Sequence, residues 1–483
     1  MSATSAQTEQ SPPLPLRRRR PNVVLAIVLL CQLMIGLDAT IVNIALPDIR
    51  PALHFSTTGL AWVFNAYTLA FGGLLLLGGR FGDILGRRRA FVGGSLVFTA
   101  ASLAGGLATD SAWLVIARIV QGIGGAFASP SVLALIATNF EEGPRRNRAL
   151  SLFSAMSSAS LAIGLILGGI LTEYANWRWV FFVNVPIGLA IALLAPMFID
   201  ETERHPGRFD VLGAVLATTG VGGLVYGFIR ASSNGWSDSQ TIGACAVGAV
   251  LIAIFVVNES RASQPIMPLR LFKERNRAGA FVNMLLVPAT IFDIIYFVTQ
   301  FLQEIRGYTP VRTGLAFLPL TIAIFATVRT VPRLIQRFST KPVMVVGTVL
   351  VTGAMFWLSR LHAGSGYAAA VLGPLLLAGI GVGLSTVPLT ITILSGVDKK
   401  DSGAASGVLQ TMQWIGGGAL GLAVLVTVFG TAVRGSSPAG GALTPTAQTH
   451  GIATAFAAGT GFTALAFLIS LVVIRTVRPA PRR

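Results

Sequence analysis

Gly79-Arg80-Phe81-Gly82-Asp83-Ile84-Leu85-Gly86-Arg87-Arg88-Arg89 is a short polar stretch set between two long apolar runs, 57–78 and 90–109. Its glycines let backbones turn sharply and approach one another closely. Asp83 can pair with a cation or cap a neighbouring helix N-terminus. The arginines hold such a stretch on the cytoplasmic side of a bilayer. Between two membrane-length runs, this pattern reads as a loop that latches helices together, with Gly79, Asp83, Gly86, Arg87 and Arg88 as the latch residues.

The flanking runs belong to a chain made mostly of such runs. Of 483 residues, 53% are hydrophobic and only 11% charged. Length alone would suit two or three soluble domains, but hydropathy overrides that expectation. Crossing ~30 Å of hydrocarbon takes about 20 residues, and runs of that kind fall near 22–46, 57–78, 90–109, 112–138, 149–172, 177–198, 209–230, 239–258, 278–303, 312–335, 341–361, 367–394, 403–433 and 452–475. The expectation is therefore an all-α polytopic membrane protein with fourteen spans. The first run is too long for a signal-peptide core and is read as a span.

A net charge of +17 invites a nucleic-acid reading, which the distribution of charge excludes. With the first loop placed outside, 27 of the 36 Lys and Arg fall on the inner side and 7 on the outer, with Arg118 and Arg329 inside spans. That asymmetry is the positive-inside pattern, and it puts both termini in the cytoplasm. Cys31 and Cys245 fall inside spans, so no disulfide framework is implied. Gly-Lys-Ser/Thr phosphate loops, His-Glu-x-x-His and Gly-x-Ser-x-Gly are absent from the sequence. No cofactor or metal is expected, and the chain is not read as an enzyme.

Ionisable groups inside spans are expensive and need a reason. Asp38 and Asp293 are the two acids well inside the hydrocarbon region, accompanied by Arg118 and Arg329. At 1.5 Å per helical residue, Asp38 lies roughly 12 Å below the outer edge and Arg118 roughly 8 Å, so a contact between them is feasible in height. Asp293 lies about 15 Å deep and Arg329 roughly 22 Å, which disfavours a direct pair. Asp38, Arg118 and Asp293 are the candidates for proton coupling; a fixed structural ion pair is the competing reading for the first two, and a hydrogen-bonded structural Asp for the third. Asn43, Asn65, Tyr67, Gln121, Tyr296, Gln300, Gln410, Gln413 and Trp414 are candidates to line a substrate cavity, where apolar and aromatic walls carry a few adaptable polar groups.

Pro332-Arg333-Leu334-Ile335-Gln336-Arg337-Phe338-Ser339-Thr340-Lys341 is a degenerate echo of the latch stretch, with Pro332, Gln336 and Ser339 in place of its Gly, Asp and second Gly. Such an echo is what duplicated six-helix halves leave behind. The latch stretch itself resembles the signature loop of the major facilitator superfamily through Gly79, Asp83, Gly86, Arg87 and Arg88, while Phe81, Gly82 and Ile84 depart from it. Leu37-Asp38-Ala39-Thr40-Ile41-Val42-Asn43-Ile44-Ala45-Leu46-Pro47, the Arg118–Ala126 stretch and Trp177–Gly188 resemble segments of its fourteen-span drug:proton antiporter branch. Gly164–Gly169 resembles the antiporter motif of that branch but lacks its proline.

The resemblance implies a tail over 1–21, a six-helix bundle over 22–198, an inserted helix pair over 199–260, a second bundle over 261–475 and a tail over 476–483. It implies proton-driven efflux, by alternating access across the plasma membrane, of amphipathic drugs, antibiotics or a secondary metabolite, by a protein that is monomeric in the family's usual form. The partners so implied are a small-molecule substrate, protons and the lipid bilayer. A proton-coupled transporter of a polar metabolite is the alternative, and a transport-dead receptor the remote one.

Overall fold

The computed structural model describes residues 21–140, 143–202, 210–262, 264–398, 401–436 and 444–475. The two expected tails lie outside the described residues except for Pro21, as do Arg204, Arg208, Lys399 and Lys400 of the basic connections. Among the described residues the chain is helical, with no strand. Its long helices are α1 (Pro21–Ala52), α2 (Ala61–Leu85), α3 (Arg87–Gly106), α4 (Ser111–Asn139), α5 (Pro144–Tyr174), α6 (Trp179–Phe198), α7 (Val211–Asn234), α8 (Ser239–Arg261), α9 (Arg275–Ile305), α10 (Pro310–Phe338), α11 (Thr340–Leu358), α12 (Ala368–Leu394), α13 (Ser402–Ser436) and α14 (Pro445–Val473). Thirteen of them are long and apolar enough to cross a membrane. The exception is α3, where Arg87–Arg89 and several small polar residues dilute the hydropathy. Its 20 residues still rise about 30 Å.

Two helical bundles result. In the first, α1 packs on α5, α2 on α4, and α3 on both α4 and α6; in the second, α11 packs on α12 and α14, α10 on α12, and α13 on α14. Helix α7 lies against both α2 and α13, at the seam between the bundles, and α8 packs on α7. Helix ends are capped by nearby acids and threonines. Asp110 accepts from Trp113 N, Asp238 from Thr241 N, and Thr309 from Arg312 N.

Small residues set the closest approaches, as expected where helices pack in lipid. A Cβ at Gly164 would meet Leu37 O at 2.9 Å and one at Gly168 would meet Ile41 O at 2.7 Å, so α1 and α5 touch along backbone. Gly36 meets the Ser160 side chain on the same seam. The motif without its proline therefore keeps its packing face, and α5 runs unbroken.

The latch stretch differs from its expected form. It is not a loop: α2 continues to Leu85 and α3 starts at Arg87, leaving Gly86 alone between them at φ +110°. Hydropathy ends near residue 78, but backbone hydrogen bonding does not depend on hydropathy and the helix carries on. The long run 403–433 likewise hides no loop; α13 relaxes into a π-helical turn over Ile415–Gly421, where Gly416 and Gly417 abut Leu285 and Pro288 of α9.

Candidate functional site

Asp38 on α1 and Arg118 on α4 meet. The Arg118 Nη1 donates to Asp38 Oδ2 at 2.6 Å, and both side chains are fully buried. The pair sits inside a closed network. Arg118 also donates through Nε to Val63 O (2.9 Å) and through Nη1 to Gln121 Oε1 (2.7 Å). Gln121 Nε2 donates to Asp38 Oδ1 (2.6 Å) and to Ser102 Oγ (2.6 Å). Asn184 Nδ2 reaches the same two atoms at 3.1 and 3.2 Å. The guanidinium lies 4.3 Å from the Tyr67 ring centroid, a cation–π contact. Asp38 thus accepts from three side chains, one of them its counter-charge Arg118. Losing the Asp38 charge would remove its pull on Arg118, whose Nη2 has no partner among the described residues.

Gln121, a candidate for the cavity wall, is part of this network. Asn184 and Ser102 were not anticipated. A signal for Asn184 existed, since a lone amide inside an apolar span needs a partner; Ser102 offered none.

Asp293 on α9 is 1% exposed, and its Oδ1 has no hydrogen-bond partner among the described residues. Arg329 does not approach it: that arginine is exposed and lies over the Phe325 ring at 4.3 Å. Next to Asp293, Phe292 belongs to an aromatic group at the seam between α2, α9 and α13. Trp414 meets Phe71 at 4.7 Å, Phe292 at 5.6 Å and Tyr67 at 6.4 Å between ring centroids, and Phe292 meets Phe64 at 5.3 Å. Buried polar atoms without partners among the described residues collect on these helices: both side-chain polar atoms of Asn65, Tyr67 Oη, Thr290 Oγ1 and Asp293 Oδ1. Tyr296 and Gln300 are buried one and two turns further along α9, and Gln300 donates to Tyr296 O. Asn43 is spent on Ala39 O of its own helix. Gln413 is half-buried beside Trp414. Gln410 lines a cavity of about 630 Å³ between α2, α4, residues 264–270 and α13.

That cavity also touches the latch, whose residues the structure brings together. Asp83 pairs with Arg87, across the Gly86 break. Arg88 N donates to Glu201 Oε1 at 3.0 Å, Arg88 Nη1 to Ile199 O at 3.1 Å, and Arg87 N to Thr202 Oγ1 at 3.1 Å. Glu201, just past α6, thus caps the start of α3, and a Cβ on Gly86 would strike its carboxyl at 2.5 Å. Gly79 has only ordinary contacts; Gly78, against Ala126 O, is the tight one. Arg80 Nη2 donates to Gln264 Oε1 at 2.7 Å, tying the latch to the entry of the second bundle.

On the opposite face a second tie joins the bundles. Arg50, near the end of α1, pairs with Glu304 at the end of α9 at 3.0 Å, and Gln448 of α14 donates to the same carboxylate. Gln303 Nε2 donates to Ile44 O at 3.0 Å, and Val311 N to Glu173 at 2.9 Å. This clasp ties helix ends together on the face opposite the latch.

Thirteen helices of membrane-crossing length and apolarity, packed around a fully buried ion pair, define a polytopic membrane protein. The family model described as the Major Facilitator Superfamily matches residues 28–421, and the chain belongs to that family, as a multi-pass protein of the cell membrane. It is 40% identical over 418 residues to the cephamycin export protein of Amycolatopsis lactamdurans, covering 85% of this chain and 86% of that one. It is 38% identical over 463 residues to the puromycin resistance protein of Streptomyces alboniger, covering 93% and 90%. Its fold is shared with a bacterial homologue of the human lysosomal transporter Spinster in an inward-facing state, with a TM-score of 0.68 and 15% identity over 96% of this chain and 100% of that one.

Proposed function

We propose that this chain exports amphipathic drugs, antibiotics or a secondary metabolite, and that protons moving inward drive the export. The observation that carries the reading is the Asp38–Arg118 pair, a fully buried carboxylate whose charge holds α1 to α4. A proton arriving at Asp38 cancels that hold, and the freed arginine shifts the balance between the state closed on the clasp face and one open there. Substrate would lie against Trp414, Phe292, Phe71 and Tyr67, whose unpartnered polar neighbours offer adaptable hydrogen bonds. Asp293 would supply a second proton site or a counter-charge for a cationic substrate.

The kinship with named cephamycin-export and puromycin-resistance proteins supports export over uptake. In this reading α3 is the fourteenth span, the chain is organised as 6 + 2 + 6 helices with breaks near residues 199 and 260, and both termini are cytoplasmic together with the latch. That places it in the fourteen-span drug:proton antiporter branch, working as a monomer and without chemical conversion of its substrate. The latch residues Gly79, Asp83, Gly86, Arg87 and Arg88 would hold one conformation and set its lifetime. Expression in a pump-deficient bacterial host should raise tolerance to amphipathic antibiotics, and an uncoupler should abolish the gain. Tolerance unaffected by the uncoupler would overturn proton drive.

A further inference from the structure

We propose that Asp210 and Glu259 form a further proton-binding site, which joins the inner ends of the inserted helices to the segment that meets the latch. Glu259, in the last turn of α8, is 3% exposed. Its Oε2 accepts from Met267 N at 2.8 Å, while its Oε1 has no hydrogen-bond partner among the described residues. That unpartnered oxygen points at the start of α7. There Asp210 caps the helix, accepting through Oδ1 from Gly213 N at 2.8 Å and more weakly, at 3.4 Å, from Asn258 Nδ2. A Cβ on Gly213 would meet Asp210 Oδ2 and Glu259 Oε1 each at 2.6 Å, so the two oxygens border the same small space.

Two carboxylates cannot face each other this closely when both are ionised unless a cation intervenes. Among the described residues, the cations nearby are engaged elsewhere. Arg270 is bound to Asp401, Arg80 donates to Gln264, and Arg87 is paired with Asp83. Arg261 is exposed and forms no ion pair with either acid, and Glu274 caps α9. Arg204, His205 and Arg208 precede Asp210 outside the described residues. One proton satisfies the geometry: Glu259 Oε1–H donates to Asp210 Oδ2, and the pair keeps a single negative charge, which the α7 N-terminus stabilises. The proton exchanges with water on the latch face. When it leaves, the two carboxylates repel and the clamp between α7 and α8 opens. Met267 is then freed, three residues from Gln264 and its bond to Arg80, so the site reports pH on the latch face to the connection between the bundles.

Infrared difference spectroscopy on the full chain in lipid nanodiscs, taken from acidic to alkaline buffer, tests this. The wild type should lose one carboxylic-acid carbonyl band that Glu259→Gln and Asp210→Asn both lack and that Asp38→Asn and Asp293→Asn retain. Glu259→Gln keeps an acceptor for Met267 N and a donor for Asp210, so it should also keep hydrogen-exchange protection of residues 264–268 in alkali, after correction for intrinsic rates, where the wild type loses it. A band that persists in Glu259→Gln and Asp210→Asn, or equal loss of protection in wild type and Glu259→Gln, would overturn the site. Should Glu259→Gln not be recovered folded, the Asp210→Asn spectrum decides alone.

Discussion

Replacing Asp38 by Asn separates what the buried pair does for stability from what it does for transport. The variant leaves Arg118 without a counter-charge at a fully buried position, although Val63 O and Gln121 Oε1 still accept from it. Breaking one side of a buried pair costs about 3–5 kcal/mol; the surviving acceptors put Asp38→Asn at the lower end, about 3 kcal/mol. Arg118→Gln should lose a similar amount, because Asp38 is left with only the Gln121 and Asn184 donors. The double variant removes both charges together, so its loss should fall short of the sum by about 2–3 kcal/mol, the coupling expected of contacting groups. Reversible denaturant unfolding in mixed micelles would measure all four proteins, beside uphill transport in proteoliposomes. The double variant should be about as stable as either single variant, and it should not regain uphill transport. Losses that add to within about 0.5 kcal/mol would refute an energetic pair, and restored uphill transport in the double variant would reduce the pair to a structural brace.

Asp83→Asn should spare insertion and change stability by no more than about 1 kcal/mol, since its bond to Arg87 is partly exposed; turnover should fall, and normal turnover at normal protein levels would remove the latch from the account. Gly168→Leu should cost about 1–3 kcal/mol or prevent folding by driving α1 from α5 against Ile41 O, which protein yield and thermal unfolding would register. Glu304→Gln should loosen the clasp formed with Arg50 and Gln448 and raise the reactivity of a cysteine at residue 44 toward an impermeant maleimide applied from the clasp face; unchanged reactivity would mean the clasp does not gate that face. Asp293→Asn should weaken resistance to cationic compounds more than to neutral ones if the acid faces substrate; equal loss would assign it to proton carriage, and full tolerance would make it structural.

The parts of this fold visible in sequence are those that depend on local composition. Apolar runs mark helices, and depth along a helix is arithmetic, so the Asp38–Arg118 contact could be anticipated from two residue numbers. Glu201, Gln264, Glu304 and Gln448 carried no such signal. Each sits at a helix end or in a connection, where a polar residue is ordinary, and each finds a partner more than a hundred residues away. Asn184 lay within a recognisable segment, yet nothing local says that its amide turns toward α1. Continuation of α2 to Leu85 was hidden for a different reason: a helix end on the membrane surface can be polar without unwinding.

The most direct test of proton drive through Asp38 uses sealed proteoliposomes with an imposed pH gradient and a fluorescent amphipathic substrate. Wild-type protein should concentrate the substrate on the acidic side for as long as the gradient lasts, and should carry protons out of the acidic side only when substrate is present. Asp38→Asn should still bind the substrate, by fluorescence quenching, but should neither concentrate it nor move protons. Concentration against the gradient by Asp38→Asn would contradict the account and move coupling to another group, with Asp293 the next to test.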